Sequence, residues 1–265
     1  MDREFRRLIQ LAKTGKARAH TNIALIKYWG KADDALIIPM NNSLSLTLDK
    51  FYTETRATFD AQFEKDRFFL NGEEADDKET QKISAYLDIV RARAGTDMKA
   101  YIDSTNFVPT AAGLASSASA FAALAAACNE ALDMQLSDKD LSRLARRGSG
   151  SASRSIYGGF AEWEKGHDDE TSYAHAIDAD HWEDDLAMIF VVINQKSKKV
   201  KSRAGMSLTR NTSRFYQYWL DHIDADIKEA KAAIAAKDFN RLGEVFEENG
   251  PVSYTHLTLP TTPYV

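Results

Sequence analysis

Pro109-Thr110-Ala111-Ala112-Gly113-Leu114-Ala115-Ser116-Ser117-Ala118-Ser119 is a run of small residues that leads directly into an alanine-rich segment, Ala120 to Leu132. Its composition predicts a loop entering a helix. Gly113 permits backbone angles that a Cβ forbids. Ser116, Ser117 and Ser119 are suited both to capping the helix and to reaching a ligand. Unpaired N–H groups at a helix N-terminus lie at the positive end of its dipole, where phosphate is favoured. Ser104 to Asn129 carries no charged residue and is long enough to span a membrane. Ala, Ser, Thr and Gly dominate it, however, in place of the Leu, Ile and Val that insertion favours. Taken alone, the loop has two readings: a buried, well-capped helix or a phosphate cradle.

Composition narrows the setting. A chain of 265 residues, 44% hydrophobic and 28% charged, has the material for one large or two ordinary globular domains. A net charge of −5 argues against a general nucleic-acid binder. With Cys128 as its single cysteine the chain forms no internal disulfide, which fits a reducing, cytoplasmic setting. Met1 to Lys16 lacks the apolar core of a signal peptide; its spacing of Phe5, Leu8, Ile9 and Ala12 suggests a short helix or a frayed extension.

Working outward, Ala17 to Tyr28 reads as a strand and ends in Trp29-Gly30-Lys31. Lys27 and Lys31 are either solvated lysines at a strand end or an anion site at the rim of a sheet. Leu44, Leu46 and Leu48 alternate with small polar residues, and the pattern resumes through Thr53, Thr55, Ala57 and Phe59. Arg67 to Leu70 followed by Asn71-Gly72 predicts a strand entering a tight turn. Ile83, Tyr86, Leu87 and Val90 have helical spacing with Gly95 as a stop, and Met98, Ala100 and Ile102 alternate as a strand leading to the Pro109 loop. Strands, one helix, a strand, then loop and helix make an α+β arrangement rather than a regular βαβ alternation.

Ser137 with Asp140 is a capping signal for a helix carrying Leu141, Leu144 and Ala145. Gly148-Ser149-Gly150-Ser151-Ala152-Ser153-Arg154 has the composition of a flexible linker. Arginines flank it, though, and it passes directly into Ile156-Tyr157-Gly158-Gly159-Phe160, so it also qualifies as an anion site with Arg154 as a planar fork. His167, His175 and His181 lie in an acidic stretch up to Asp185 whose spacing fits no zinc pattern and which reads as a solvated loop. Leu186 to Ile193 predicts a buried strand. The basic run Lys196 to Arg203 follows it, either a solvated face, a nucleic-acid patch or a flank for an anionic small molecule. Ser213 to Asn249 is helical in pattern. Pro251 to Val265 has no Asp, Glu, Lys or Arg and reads as an extraneous or out-of-frame tail.

No Walker-type glycine–lysine run and no Rossmann glycine fingerprint occurs, so phosphate binding would need another architecture. Three motifs in register supply one: Asn22-Ile23-Ala24-Leu25-Ile26-Lys27-Tyr28-Trp29-Gly30-Lys31, the Pro109–Ser119 loop, and Gly148–Arg154. Together they closely resemble the diphosphomevalonate decarboxylases of the GHMP kinase superfamily. The resemblance extends from about residue 17 to 249. It implies a two-domain α+β fold: a ribosomal protein S5 domain 2-like N-terminal domain over 1–187 and an incomplete ferredoxin-like C-terminal domain over 188–250, followed by the tail 251–265.

It also implies ATP- and magnesium-dependent decarboxylation of mevalonate 5-diphosphate to isopentenyl diphosphate, by a cytoplasmic homodimer that acts on neither nucleic acid nor membrane. On this resemblance Ser104 and Pro109 to Ser117 bind ATP, with Ser116 toward the metal. Tyr28, Trp29, Gly30, Lys31, Ser149, Gly150, Ser151, Ala152, Ser153, Arg154, Ser202 and Arg203 hold the substrate. Lys27, Arg154 and Ser117 are the catalytic group, with Lys27 near the reacting hydroxyl and Arg154 facing the carboxylate. The family's Asp-Ala-Gly-Pro-Asn-type stretch, which carries the aspartate that orients or deprotonates the 3-hydroxyl, has no counterpart here, so the expectation is a C-terminally truncated chain without that aspartate. A mevalonate or phosphomevalonate kinase, and a catalytically dead nucleotide- or substrate-binding protein, are the alternatives.

Overall fold

The computed structural model describes residues 12–108, 116–190 and 202–254. Its strands are β1 (Lys13–Ile26), β2 (Lys31–Asp33), β3 (Ile38–Pro39), β4 (Ser43–Asp60), β5 (Arg67–Leu70), β6 (Glu73–Glu74), β7 (Lys99–Asn106), β8 (Phe160–Trp163) and β9 (Ala174–Ile177). Its helices are α1 (Asp77–Ala94), α2 (Ser116–Ala131), α3 (Asp138–Gly148), α4 (Ser202–Thr212), α5 (Tyr216–Ala236) and α6 (Phe239–Asn249), with 3-10 turns at Gly150–Ile156, Trp182–Asp185 and Gly250–Tyr254. The content is α+β, as the hydrophobic patterning predicts. The chain divides into two compact units: residues 1–21, 48–110 and 114–156 form one, and 22–47, 111–113 and 157–265 the other.

In the first unit, Asn71 and Gly72 take positive φ and close the β5–β6 hairpin, the conformation an Asn-Gly turn favours. β5 runs parallel to β7, and β7 pairs antiparallel with the second half of β4 from Thr53↔Asn106 to Asp60↔Lys99. Strand alternation turns Ala57, Phe59, Ala100 and Ile102 inward against Tyr86, Leu87 and Val90 of α1 and the alanines of α2. Each large apolar side chain buried this way contributes about 1.5–3 kcal/mol. α1 starts on Asp76, whose side chain accepts from the Glu79 N–H, and stops at left-handed Gly95. Ser137 caps α3 by accepting from the Asp140 N–H.

The alanines of α2 have a mechanical reason. A Cβ on Gly15 of β1 would collide with the backbone of Ala127 and Ala131, so strand and helix touch main chain to main chain. No described helix is long and apolar enough to cross a membrane. β1 also corrects an expectation. Lys13 to Lys16 are strand rather than the end of a helix or a frayed extension, and the Lys16 N–H donates to Glu130 Oε2. The helical spacing of the N-terminal segment ends at Ala12; residues 1–11 lie outside the described set.

In the second unit, the first residues of β4 pair with β8 (Ser43↔Trp163 to Leu46↔Phe160), and β8 pairs with β9. Leu25, Ile26, Leu44, Leu46 and Phe160 pack with Trp219, Ile223, Ile227 and Ile234 of α5 and Leu242 and Val245 of α6. Val252 is buried in the same core.

Two expectations are corrected here. The acidic stretch from His167 to Asp185 is not wholly loop: it contains β9, because Ala174 to Ile177 find an antiparallel partner in Phe160 to Trp163 of β8, which no local pattern announces. Leu186 to Phe190 forms no strand and Ile189 is exposed, since an apolar run supplies hydrophobicity but no partner strand. Residues 191–193 of that run lie outside the described set.

Candidate anion-binding site

Pro109 to Ala115 lie outside the described residues, as do Lys196 to Lys201 of the basic run. The first unit holds the flanks of the Pro109 loop. Ser104, ahead of it, is buried in β7 with its hydroxyl 2.9 Å from Thr55 Oγ1. α2 begins at Ser116, and its first turn contains no acidic residue. A helix N-terminus with hydroxyls and no competing carboxylate suits phosphate. Ser119 is drawn inward, 2.8 Å from Thr53 Oγ1, with its hydroxyl also donating to the Ser116 carbonyl. Ser117 faces the other way and accepts a hydrogen bond from the Ser149 hydroxyl at 3.3 Å.

That bond joins two of the three motifs within one unit. Gly148–Arg154 is no linker. The chain leaves α3 at Gly148, where any Cβ would strike the Phe121 ring of α2, and winds into the 3-10 turn. The Ser153 hydroxyl donates to the Gly150 carbonyl at 2.7 Å, the Ser142 hydroxyl to the Ser153 carbonyl at 3.0 Å, and the Ala152 N–H to the Ser149 carbonyl. Ser149 and Ser151 hydroxyls lie 3.4 Å apart. Small side chains let this turn close around Arg154, which is 1% exposed.

The Lys27–Lys31 motif lies in the second unit. The Lys27 ammonium donates to the Ala24 carbonyl at 2.8 Å, its N–H donates to Asn249 Oδ1 of α6 at 2.9 Å, and its carbonyl accepts from Asn41. Tyr28 packs against Trp163 with ring centroids 4.7 Å apart. The Tyr216 hydroxyl donates to the Trp29 carbonyl at 2.6 Å, the Met40 N–H to the Gly30 carbonyl, and Arg210 to the Lys31 carbonyl. The Lys31 ammonium, nearly covered, pairs with exposed Asp34. Ser202 and Arg203 open α4, the helix that ends near Arg210.

Asn41, Arg210, Tyr216 and Asn249 bond the main chain of this candidate motif, and sequence reasoning missed them. They are single polar side chains, three of them far along the chain from their targets, and no local pattern marks them. Burial pushes the Tyr216 hydroxyl up to about 12, with nearby Arg210 opposing the shift. An unfolded tyrosine ionises near pH 10. The folded chain therefore holds more protons than the unfolded chain between about pH 10 and 12, and stability falls as pH rises through that window. Unfolding free energies from urea titration of the native protein and of Tyr216→Phe should differ by about 1 kcal/mol at pH 8 in favour of the native chain. The difference should shrink once pH rises above about 10, where the unfolded tyrosine ionises first, and be gone well before the folded hydroxyl titrates.

Asp226, whose carboxylate accepts from Asn249, also has a raised pKa, because burial outweighs that hydrogen bond. Among the described residues, one His/carboxylate group brings its ligand atoms within 4.8 Å: Glu162, Glu164 and His175. His175 lies opposite Glu162 on β9, apart from His167 and His181. Lys231 donates to Glu162 at 2.8 Å, and Asn42 donates to both glutamates. These contacts already compensate the buried Glu162 charge, so the group is stable as a polar network of the second unit without a cation.

Residues 19–174 match the family described as diphosphomevalonate decarboxylase-like N-terminal domain, and residues 187–262 match the mevalonate 5-diphosphate decarboxylase C-terminal domain. A curated diphosphomevalonate decarboxylase of Ganoderma lucidum is 40% identical over 247 residues, covering 86% of this chain and 62% of that protein. The chain thus spans about three fifths of the length of this curated relative. The crystal structure of mevalonate diphosphate decarboxylase from Staphylococcus aureus is 75% identical with a TM-score of 0.90, over 94% of this chain and 75% of that one. A structure described as MDDEF in complex with MVAPP, AMPPCP and magnesium is 59% identical with a TM-score of 0.88, over 92% of this chain and 75% of that one.

Proposed function

We propose, from the premise that this chain belongs to the diphosphomevalonate decarboxylase family, that it carries the substrate- and nucleotide-binding residues for ATP-dependent decarboxylation of mevalonate 5-diphosphate. The fold is the mixed α+β GHMP kinase fold of the matched structures. The reaction consumes ATP and releases ADP, phosphate and CO₂ to leave isopentenyl diphosphate. The observation that carries the reading is the Ser149–Ser117 hydrogen bond, which ties the candidate substrate turn to the first turn of the candidate phosphate helix.

In this reading Ser116 and Ser117 meet the ATP phosphates at the acid-free start of α2, and the Ser116 hydroxyl is the donor offered to Mg²⁺. The fit is to the nucleotide's phosphates: hydroxyl and N–H donors, with no carboxylate competing for the anion, so that Mg²⁺ would be held mainly through the phosphates with Ser116 offering one oxygen. The metal, when bound, neutralises charge on the terminal phosphates. Lys27 and Lys31 supply cationic charge toward the substrate's 3-hydroxyl and diphosphate. Arg154 holds the carboxylate in its fork, so that the C–C bond to be broken is oriented before CO₂ leaves. Ser149 and Ser151 complete the substrate side, and Ser202 and Arg203 at the start of α4 provide a further cationic flank. The substrate is so heavily anionic that binding must come mainly from such donors.

The division of the chain near residue 187 belongs to the same reading, supported by separate family matches on either side. So do a cytoplasmic setting, in which buried Cys128 stays a thiol, and a homodimer, which light scattering would check. The decisive experiment incubates the chain with ATP, Mg²⁺ and mevalonate 5-diphosphate labelled in its carboxylate. Labelled CO₂ with isopentenyl diphosphate is expected from a version carrying the family's Asp-Ala-Gly-Pro-Asn-type C-terminal stretch, with the chain itself about 10²–10⁴-fold slower for want of that aspartate; release from neither would overturn the reading. A phosphorylated product that keeps the label would instead make it a kinase, and binding without turnover would leave only the binding role.

A further inference from the structure

Gly30 is the weak point of the Tyr28–Lys31 loop. It has φ 116°, and its missing side chain leaves the adjoining peptide groups free to rotate. A carbonyl swung round at this position would present a partial negative charge to any anion that the neighbouring lysines attract. Three consecutive carbonyls are nevertheless tied down. Tyr216 holds that of Trp29 at 2.6 Å, the Met40 N–H that of Gly30 at 3.1 Å, and Arg210 that of Lys31 at 2.8 Å. The glycine and the tyrosine also require each other. A Cβ on Gly30 would run into the Tyr216 hydroxyl and come within 3.2 Å of Met40 Cγ, so the hydroxyl reaches its carbonyl only because residue 30 is glycine.

We propose that Tyr216 and Arg210 are positioning residues for substrate: they lock the peptide groups around Gly30 in one orientation, so that the loop meets a diphosphate with its lysines and not with carbonyl oxygens. The inference rests on the reading of Tyr28–Lys31 as a substrate loop. It assigns to α4 and α5 a task separate from packing, because the bonds in question end on backbone oxygens of the loop. Tyr216 keeps its ring in the second-unit core whether or not it carries the hydroxyl. Tyr216→Phe therefore removes the tether without emptying the core.

Calorimetric titration of the full chain with mevalonate 5-diphosphate, and separately with AMPPCP plus Mg²⁺, tests this. Tyr216→Phe and Arg210→Met should each weaken the diphosphate about tenfold while nucleotide affinity stays within about twofold, since an imprecisely held site loses the ligand it was shaped for. Arg210→Lys, which keeps a donor, should recover most of the loss. Tyr218→Phe, an exposed tyrosine of the same helix, should match the native chain. Native diphosphate affinity in both tether variants would overturn the inference, as would equal weakening of both ligands, which marks general loosening. If the native chain itself binds no mevalonate 5-diphosphate, the functional reading falls and the inference falls with it.

Discussion

An Arg154→Met variant is expected to bind mevalonate 5-diphosphate about 10²–10³-fold more weakly than the native chain, the largest effect of any single side chain in the candidate site. Removing one partner of a buried, hydrogen-bonded charge pair costs about 2–5 kcal/mol, with 1.4 kcal/mol per factor of ten. Arg154 is 1% exposed, so a carboxylate that meets it is not competing with bulk water for the guanidinium. Arg154→Lys keeps the charge but replaces a planar fork by a point donor on a flexible stem, and should recover only part of the affinity. Calorimetry with mevalonate 5-diphosphate and with mevalonate, which lacks the diphosphate, separates the two ends of the ligand. Loss of comparable size for both places the arginine on the carboxylate. Loss for the diphosphate alone would move it to the other end. Because the turn around Arg154 is bonded internally through Ser142, Ser153 and Gly150, its frame should survive the substitution.

The second large effect is on stability. Asp66→Ala should destabilise the chain by about 3–5 kcal/mol, the cost of stranding a buried charge. Both Asp66 and Arg91 are buried; the guanidinium reaches both carboxylate oxygens at 3.1 Å, and Asp66 Oδ1 also accepts the Ala100 N–H at 2.8 Å. One carboxylate thus anchors α1 and β7 together. Asp66→Asn keeps an acceptor for Ala100 and should fall between the native chain and the alanine variant. Asp88 also bonds Arg91, but is largely exposed, and Asp88→Ala should cost no more than about 1 kcal/mol. Denaturant midpoints order the four proteins. An Asp66→Ala cost no larger than that of Asp88→Ala would refute the argument.

Legibility in the sequence followed the range of the signal. The Asn71-Gly72 turn, the Gly95 stop, the Ser137 cap and the alternation along β4 from Thr53 to Phe59 are written in neighbouring residues, and the structure places each as expected, whereas Ser43 to Leu46 are buried on both faces. The three motifs were equally visible, because each is a short continuous string. What held them in place was not visible. Asn249 on Lys27, Tyr216 on Trp29 and Arg210 on Lys31 are contacts across most of the chain, and each rests on one polar side chain in an ordinary helix. Ile189 shows the opposite failure: its run had the hydrophobicity of a buried strand, yet this residue faces solvent.

β4 serves two cores with one strand, and the order in which they close follows from the direction of synthesis. Its second half meets β7 some 40–50 residues after leaving the ribosome, whereas Ser43 to Leu46 wait for Phe160 to Trp163, more than a hundred residues later. In the interval this leucine-bearing edge is a template for wrong pairing. No single protease cut can release the second unit intact, since residues 22–47 lie in sequence between the first two segments of the other and stay with it when the chain is cut near residue 156.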